Sequence, residues 1–410
     1  MPPETEDYVL ALNAGSSSLK FELFASGPIW RSCLRGAVTD IGRPRSALTI
    51  AGQEPVDGPV ADHSDAARRV FAAVFDNGGG DVAIERLRAI GHRVVHGGAR
   101  FTGPTLITDS VVAALDEIAE LAPLHIPPAL AVIGVERERF AGVPMVAVFD
   151  TTFFRRIPEH ARRYAVPRSW YVDHAVQRFG FHGIAHEYIS ERVGADSRTG
   201  ASRRRVVSLH LGQGCSATAL LEGRPVETSM GFTPLEGLIM GTRPGDLDPG
   251  ALVHLARRGF SPDALEAALN RESGLRGLSG TSDDVRELLE REASGDADAA
   301  LALAAFCHRI RKYVGAYAAV LGGIDALAFG GGIGENAAPI RARICAGLEW
   351  LGLELDEEAN ARCCGTEGRI SQPTSRVLIE VIAVREEEAI ARAALETLGN
   401  LSPGAARNTI

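Results

Sequence analysis

The chain has 410 residues, more than one hydrophobic core usually organises, so the sequence predicts two domains. Its 45% hydrophobic and 23% charged residues are typical of a globular protein and exclude extensive disorder. A net charge of −9 argues against a nucleic-acid-binding protein, although a local cluster of arginines can still bind a small anion.

The sequence predicts neither a membrane segment nor a disulfide framework. The longest apolar stretch, 299–321, is interrupted by basic residues between 308 and 312. The chain opens with Glu4, Glu6 and Asp7 rather than with the basic residues of a secretory signal. The six cysteines include no C-x-x-C pair. We therefore expect a cytoplasmic protein without a membrane partner.

Short apolar runs, which are typical of strands, alternate along the chain with segments whose apolar residues recur at helical spacing. In chain order they predict strands 8–12, 19–24 and 89–95, helix 110–121, strands 143–149, 206–211 and 217–221, helices 263–269, 283–292 and 296–321, strand 326–329, a helix from about 337, strand 377–382 and helix 386–398. This alternation indicates an α/β protein. No low-complexity linker is present, so the domain boundary is placed at the strand end near Asp150.

Three glycine-bearing turns follow predicted strands, at 13–18, 212–216 and 330–336. The first two belong to similar strand–turn–strand units about 200 residues apart, which suggests two related halves facing a cleft. Glycine and serine let backbone N–H groups approach an anion, but turns are also rich in glycine for steric reasons alone. Together with Lys20, one of only two lysines in the chain, the three turns favour a phosphate-binding cleft.

Common nucleotide and hydrolase motifs are absent. A G-x-G-x-x-G motif from Gly330 needs glycine where Glu335 stands, and a P-loop needs glycine where Leu19 precedes Lys20. Neither H-E-x-x-H nor G-x-S-x-G occurs.

Five charged or titratable residues stand next to glycines or strand ends and are candidates for the chemistry: Arg93, Asp150, His182, Arg243 and Glu386. For either arginine the alternative is a solvated surface side chain, and for His182 it is a capped loop histidine. Three other histidines have comparable glycine or proline neighbours, so position alone does not single out His182.

Several blocks, in a fixed order, resemble the acetate kinase family of the sugar kinase, actin and Hsp70 fold. They are LNAGSSSLKF at 12–21, GHRVVHGG at 91–98, LAPLH at 121–125, FDT at 149–151, GFHG at 180–183, ETSMGFTPLEG at 227–237, MGTR at 240–243 and GIGEN at 332–336. The resemblance runs nearly end to end. It implies two actin-like (ribonuclease H-like) domains with mixed sheets flanked by helices and a cleft between them. Residues 1–150 and a C-terminal helix, 387–410, would form the N-terminal domain, and 151–386 the C-terminal nucleotide-binding domain.

The resemblance also implies an activity: reversible transfer of the ATP γ-phosphoryl group to acetate by a cytoplasmic homodimer, with Mg²⁺ or Mn²⁺. The implied catalytic residues are Arg93, Asp150, His182 and Arg243, with Asp150 acting either as a base or as a residue that orients arginine; the orienting role is favoured because acetate is already ionised at pH 7. The implied acyl-site residues are Arg93, Val95, Leu124, Phe181 and Pro234. The implied ATP contacts are Ser16, Ser18, Lys20, His210, Leu211, Gly212, Gln213, Gly214, Asp284, Val285, Arg286, Gly332, Ile333, Gly334, Glu335 and Asn336, and the metal residues are Asn13 and Glu386.

Six positions depart from the family pattern and are expected near the site. They are Ile126, Ala129, Phe154, Ile184, Gln213 and Arg385. Every charged residue assigned above is present, so the reaction class is expected to hold. The departures leave open a kinase for propionate or another short acid, and a nucleotide-binding sensor that has lost turnover.

Overall fold

The computed structural model describes residues 6–27, 30–76, 83–194 and 205–400. The chain divides into two compact units. The first takes the residues up to Thr152 and from Arg385 onward, and the second takes Phe153–Val384. The sequence placed these divisions after residues 150 and 386. Residues 1–5, 195–204 and 401–410 of the predicted domains lie outside the described residues.

The first unit is built on a mixed sheet whose order, within the described residues, is β5-β4-β3-β2-β1-β6-β8-β7. Its strands are β1 (Tyr8–Ala14), β2 (Leu19–Ser26), β3 (Trp30–Thr39), β4 (Ala47–Ile50), β5 (Val56–Asp57), β6 (Leu87–Val94), β7 (Thr105–Leu106) and β8 (Met145–Phe149). Its helices are α1 (His63–Phe71), α2 (Asp109–Glu117), α3 (Ile126–Arg139) and the last helix of the chain, α15 (Glu386–Asn400). Strand β1 is antiparallel to β2 and parallel to β6, which is parallel to β8. The ends of β1, β6 and β8 therefore meet at one edge of the sheet.

Helix α15 returns to this sheet from the far end of the sequence. A Cβ added at Gly91 in β6 would lie 2.8 Å from Ile390 Cγ2 and 3.0 Å from the Ile390 carbonyl oxygen. Glycine at this position therefore lets the helix backbone approach the strand. The contact places the first turn of α15, which begins at Glu386, in the same unit as Asn13 and Arg93.

The second unit has a mixed sheet of order β11-β10-β9-β12-β14-β13 among the described residues. The strands are β9 (Arg205–Leu211), β10 (Cys215–Leu221), β11 (Arg224–Thr228), β12 (Ala326–Gly330), β13 (Gly368–Arg369) and β14 (Leu378–Val381). The helices are α4 (Glu159–Arg162), α5 (Arg168–His174), α6 (Gly183–Gly194), α7 (Pro249–Arg257), α8 (Pro262–Arg271), α9 (Gly274–Ser279), α10 (Val285–Ala293), α11 (Ala297–Leu321), α12 (Gly331–Asn336), α13 (Ala338–Cys345) and α14 (Glu357–Arg362). Strands β9 and β12 run parallel, so the turns that follow them lie side by side.

The predicted α/β class with two mixed sheets flanked by helices is confirmed. The predicted strands and helices are present with shifted ends, except that helix 110–121 ends at Glu117 and continues as a 3₁₀ turn at Ala119–Leu121. The sequence missed α3, because Pro127 and Pro128 resemble a break although proline is well tolerated in a helix's first turn. In the described part of the chain, no helix combines the length and apolar composition needed to cross a bilayer.

Candidate active site

Arg93 lies near the end of β6, between two polar residues of neighbouring strands. It is opposite Asn13 of β1 in the sheet register, and Asp150 directly follows β8. Its Nε donates to both carboxylate oxygens of Asp150 at 3.1 Å, and its Nη2 donates to Oδ2 at 2.6 Å. Its Nη1 donates to Asn13 Oδ1 at 2.9 Å. The guanidinium is therefore held on two sides by side chains of the strand ends.

The charge of Arg93 is stable in this setting. Burial by itself lowers its pKa, but the charges of Asp150, Glu386 and Glu387 outweigh burial and raise the pKa above its usual range. The Arg93 side chain keeps 14% of its surface exposed, while Asp150 keeps 1%. We define Asn13, Arg93, Asp150 and Glu386 as the Arg93 site.

Two carboxylates converge on Asn13. Its amide nitrogen donates to Glu386 Oε2 at 3.1 Å and to Glu387 Oε1 at 3.2 Å, while its amide oxygen accepts from Arg93. Residues 6–27, 30–76, 83–194 and 205–400 contain no group of three or more His, Cys, Asp or Glu side chains placed to hold a metal. The donors present are two carboxylates and one amide, and such oxygen donors fit a hard cation that keeps most of its waters. The sequence assigned Glu386 but missed Glu387, although both begin α15.

The first glycine turn follows β1 and closes on itself. The Gly15 N–H donates to the Ser18 carbonyl at 2.8 Å, and a Cβ added at Gly15 would lie 2.8 Å from Ser18 Oγ. Ser16 and Lys20 are exposed and Ser18 is half-buried. Lys20 pairs with Asn13 in the register of β1 and β2. These side chains are available to an anion beside the Arg93 site.

The residues assigned to the acyl group divide between the units. Val95, which follows β6, is buried, and Leu124, which precedes α3, is half-buried in the first unit. Phe181 is buried and Pro234 is half-buried in the second unit. Their contact with a substrate methyl group stays a prediction.

His182 lies just before α6 in left-handed backbone, with φ of 60°, a conformation uncommon for residues other than glycine. Its Nδ1 lies 2.9 Å from Ser216 Oγ. The same hydroxyl lies 2.7 Å from His186 Nε2, and His186 Nδ1 lies 2.8 Å from Ser208 Oγ. Burial, assisted by His210, lowers the pKa of His186 well below its usual value. A neutral His186 has one donor and one acceptor nitrogen, so the Ser216 hydroxyl links two imidazoles of defined orientation.

Arg243 lies beside His182 and the second glycine turn. Its Nη1 donates to the Pro234 carbonyl at 2.9 Å. A Cβ added at Gly214 would lie 2.7 Å from Arg243 Nη2 and 3.2 Å from His182 Nε2. The absence of a side chain at Gly214 therefore brings both groups against the backbone of the turn. We define His182, Gly214, Ser216 and Arg243 as the Arg243 site.

The turns after β9 and β12 pack closely together. His210 pairs with Gly330 across the parallel strands. Gly331 has φ of 77°, and a Cβ there would lie 2.7 Å from the Leu211 carbonyl oxygen, so both its conformation and its space require glycine. Side chains of this region support the turn: Glu335 Oε1 accepts from the Gly331 N–H at 3.0 Å, and Asn336 donates to the Gly332 carbonyl at 2.9 Å.

The remaining residues assigned to ATP differ in what they expose. Asp284 caps α10 by accepting from the Arg286 N–H at 2.8 Å, and the two side chains pair at 2.6 Å. The hydrogen bond from Arg286 lowers the pKa of Asp284. Gly212, Gln213, Gly214, Gly332, Ile333, Asn336 and Arg286 are exposed or half-buried. Leu211, Val285 and Gly334 are buried, so a ligand at Leu211 or Val285 has the backbone rather than the side chain to contact.

The six departures from the family pattern separate by burial. Ile126 and Ala129 belong to the core of the first unit, and Phe154 to a core cluster of the second. Ile184 is also buried. Gln213 and Arg385 are exposed. Apolar residues at four of these positions thus join the interior, where a polar side chain would need a hydrogen-bond partner.

Sequence reasoning missed several residues at these sites. Ser216 was visible only as part of a turn, and His186 only as a histidine four residues after His182, on the helix that follows it. Arg178 and Glu236 form a salt bridge at 2.7 Å across 58 residues, which no local pattern reveals.

Comparison with known proteins assigns the family. The model of the acetokinase family matches residues 8–392. An acetate kinase of Solibacter usitatus is 44% identical over 404 residues, covering 94% of this chain and 96% of that protein.

Solved structures give the same result. The crystal structure of Porphyromonas gingivalis acetate kinase is similar with a TM-score of 0.87 and 38% identity, covering 96% of this chain and 100% of that one. A propionate kinase structure from Francisella tularensis has a TM-score of 0.87 and 35% identity, covering 95% and 99%. The match extends over nearly the whole chain in each comparison, and the chain belongs to the acetokinase family.

Proposed function

We propose that this chain is an acetate kinase, which reversibly transfers the γ-phosphoryl group of ATP to acetate to give acetyl phosphate and ADP. Membership of the acetokinase family and the names of its relatives support this activity. The observation that carries the chemistry is the Arg93 guanidinium, oriented by Asp150 and Asn13 at the ends of three strands. This guanidinium is partly exposed and permanently charged, and its N–H groups are suited to donate hydrogen bonds to carboxylate and phosphoryl oxygens.

In the forward reaction a carboxylate oxygen of acetate attacks the γ-phosphorus. A bond from that oxygen to phosphorus forms, the bond from phosphorus to the β–γ bridging oxygen breaks, and its electron pair leaves on ADP. Both reactants are anions, so their approach requires concentrated positive charge. We assign this charge to Arg93 and Arg243.

Asp150 has an orienting role in this proposal. Acetate is already ionised near neutral pH, as free side-chain carboxylates are, and needs no general base. Both Asp150 oxygens accept hydrogen bonds from Arg93, an arrangement that aims the guanidinium. His182, held at Nδ1 by Ser216, would stabilise charge on the transferring group through Nε2.

The nucleotide would lie on the turns of the second unit, at His210–Gly214, Asp284–Arg286 and Gly332–Asn336. Ser16, Ser18 and Lys20 are also assigned to phosphate contacts, as the family resemblance implies. Exposed backbone N–H groups in glycine turns suit phosphate oxygens. Asn13 and Glu386, with Glu387 beside them, would hold Mg²⁺ or Mn²⁺, largely through water. When bound, the metal supplies positive charge that neutralises the phosphates.

Trapping acyl phosphate with hydroxylamine tests this function. We expect hydroxamate from acetate with Mg-ATP. No hydroxamate from acetate, propionate or butyrate would contradict the proposal and favour a nucleotide-binding sensor.

The similarity to a propionate kinase structure supports a second candidate substrate, propionate. A pocket for one methyl group discriminates against one further methylene by only about 1–3 kcal/mol. Comparing kcat/KM for acetate, propionate and butyrate distinguishes the two activities, since the preferred acid has the highest value.

We further propose a cytoplasmic homodimer, as the family resemblance implies. Val253 of α7 and Phe260, between α7 and α8, are each 50% exposed, and neither helix contains a buried residue. A second copy covering this face would remove its apolar surface from water. Sedimentation should give a dimer for the natural chain and a monomer for the double variant Val253→Asp, Phe260→Asp; a natural monomer contradicts the proposal.

A further inference from the structure

The loop 228–237, between β11 and α7, supplies two groups to the Arg243 site region. Pro234 carries the carbonyl that accepts from Arg243, and its ring is one of the residues assigned to the acyl group. The loop also contacts the segment before His182, because the N–H groups of Phe179 and Gly180 point to the Gly231 carbonyl at 3.0 and 3.3 Å. Any displacement of this loop would therefore move Pro234, its contact with Arg243 and the segment that precedes His182.

Arg178 holds one side of the loop. Its side chain is 14% exposed, and its Nη1 donates to the carbonyls of Thr228 at 3.0 Å and Met230 at 3.1 Å. Its Nη2 donates to Glu236 Oε1 at 2.7 Å. One guanidinium thus ties the beginning of the loop to a carboxylate near its end.

Tyr164 holds the other side. Its hydroxyl donates to Glu236 Oε2 and accepts from the Phe232 N–H at 2.8 Å. Burial raises the pKa of Tyr164, so the hydroxyl stays protonated at neutral pH. A Cβ added at Gly231 would overlap Glu236 Oε2 and the Tyr164 hydroxyl, so the packing of the loop against this pair leaves no space for a side chain at Gly231.

None of these three side chains has a role in the chemistry proposed above. Arg178 forms ion pairs with Glu236 at 2.7 Å and with Glu227 at 3.5 Å, and its other hydrogen bonds go to the backbone of the loop. Burying such a pair costs desolvation, and a general stabilising role is better filled by apolar residues. Its polar contacts do specify one loop conformation.

We propose that Tyr164, Arg178 and Glu236 form a positioning cluster that fixes loop 228–237 and thereby sets the discrimination between acetate and longer carboxylic acids. The inference rests on the proposed carboxylate kinase activity. The cluster acts through Pro234 and Arg243, and it touches neither substrate.

The test is Tyr164→Phe, which removes the hydroxyl between Glu236 and Phe232 and keeps the ring. We expect the ratio of kcat/KM for acetate to that for propionate to fall by at least about threefold, chiefly through a higher KM for acetate, with KM for ATP unchanged. A uniform loss for both acids, or an unchanged ratio, would overturn the proposal.

Thr374→Val is the control, because the Thr374 hydroxyl also donates to a carboxylate of this unit, Glu354, at 2.8 Å, outside loop 228–237. It should leave the acid ratio unchanged. Glu236→Gln, nearly identical in shape, serves as the second variant if Tyr164→Phe folds poorly, and it should also lower the ratio.

Amide hydrogen exchange separates this inference from the proposed activity, since it needs no turnover. Residues 228–237 should exchange faster in Tyr164→Phe than in the natural chain, while they should be unchanged in Thr374→Val. Equal exchange in all three proteins would overturn the cluster, whereas an inactive natural chain with faster exchange in Tyr164→Phe would contradict only the substrate assignment.

Discussion

The Arg93 site and the Arg243 site place an arginine in two different ways. Arg93 is held by charge, since Asp150 binds two of its nitrogens and Glu386 and Glu387 add negative potential. Arg243 donates to the backbone carbonyl of Pro234 and packs against Gly214, where there is no room for a side chain.

Because the two arginines are positioned differently, we expect the two sites to respond to different kinds of substitution. At the Arg93 site a substitution acts through charge and hydrogen-bond geometry, because the guanidinium donates to the side chains of Asp150 and Asn13. At the Arg243 site, one added methyl group suffices to displace the guanidinium. The following predictions test this contrast.

The largest effect is expected from removing either guanidinium. Arg93→Ala and Arg243→Ala should each lower kcat/KM for acetate by at least about 100-fold, as does loss of other groups that stabilise transition-state charge. Steady-state kinetics measures this. Arg88→Ala is the control, since Arg88 lies on the same strand β6 with a 64% exposed side chain and should keep normal activity. Near-normal activity in either alanine variant would show that the arginine is misassigned.

Gly214→Ala tests the role of space at the Arg243 site. The added Cβ would meet the end of the Arg243 side chain at 2.7 Å, which can move, so the fold should survive. The displaced guanidinium should lower kcat/KM by about 10- to 100-fold. Gly134→Ala, in α3 with nothing within 4 Å of the new Cβ, is the control and should retain activity. Loss of folding in Gly214→Ala, rather than of activity, would contradict this account.

Ser216→Ala sharpens the contrast, because it removes a neutral hydroxyl and no charge. The variant leaves His182 Nδ1 and His186 Nε2 without their common partner, and we expect kcat to fall about 10-fold, as for partners that orient other active groups. The pH profile of kcat should also shift. Ser208→Ala, on the far side of His186, should have a smaller effect. Unchanged kcat and pH profile in Ser216→Ala would show that the hydroxyl does not orient His182.

His96, in the first unit, is a buried titratable side chain that is neutral, in contrast to the charged groups of the Arg93 site. Burial lowers its pKa to about 4, and its Nδ1 accepts from the Gly98 N–H at 2.8 Å, so the folded protein holds a neutral imidazole. The unfolded chain, with a histidine pKa near 6.5, binds this proton as pH falls below about 6.5. Stability is therefore present above that pH and is lost progressively down to about pH 4.

Urea unfolding at pH 6 and pH 5 measures this smallest effect. His96→Gln should reduce the loss of unfolding free energy between these pH values by about 1 kcal/mol relative to the natural chain. An equal loss in both proteins would show that His96 is not held neutral.

Local patterns predicted the elements that carry the sites. The apolar runs before Asn13, Arg93 and Asp150 indicated buried strands, and their parallel arrangement brings the strand ends together. Helix α3 was missed because proline signals a break in sequence but is accepted in a first turn. The turn predicted at 330–336 is the short helix α12, whose first residue, Gly331, packs against Leu211, a contact between segments about 120 residues apart.

The sequence alone determined the α/β class, the glycine turns and the family, because these depend on local periodicity and on the order of motifs. Only the tertiary structure decided that Asn13 contacts both Glu386 and Glu387, that Ser216 joins two imidazoles, and that Tyr164 and Arg178 meet on Glu236. Each of these contacts joins residues from distant parts of the chain, so the pairing depends on the tertiary fold. A buried donor or acceptor must find its partner within the fold, and the partner's position in sequence is then a consequence of topology.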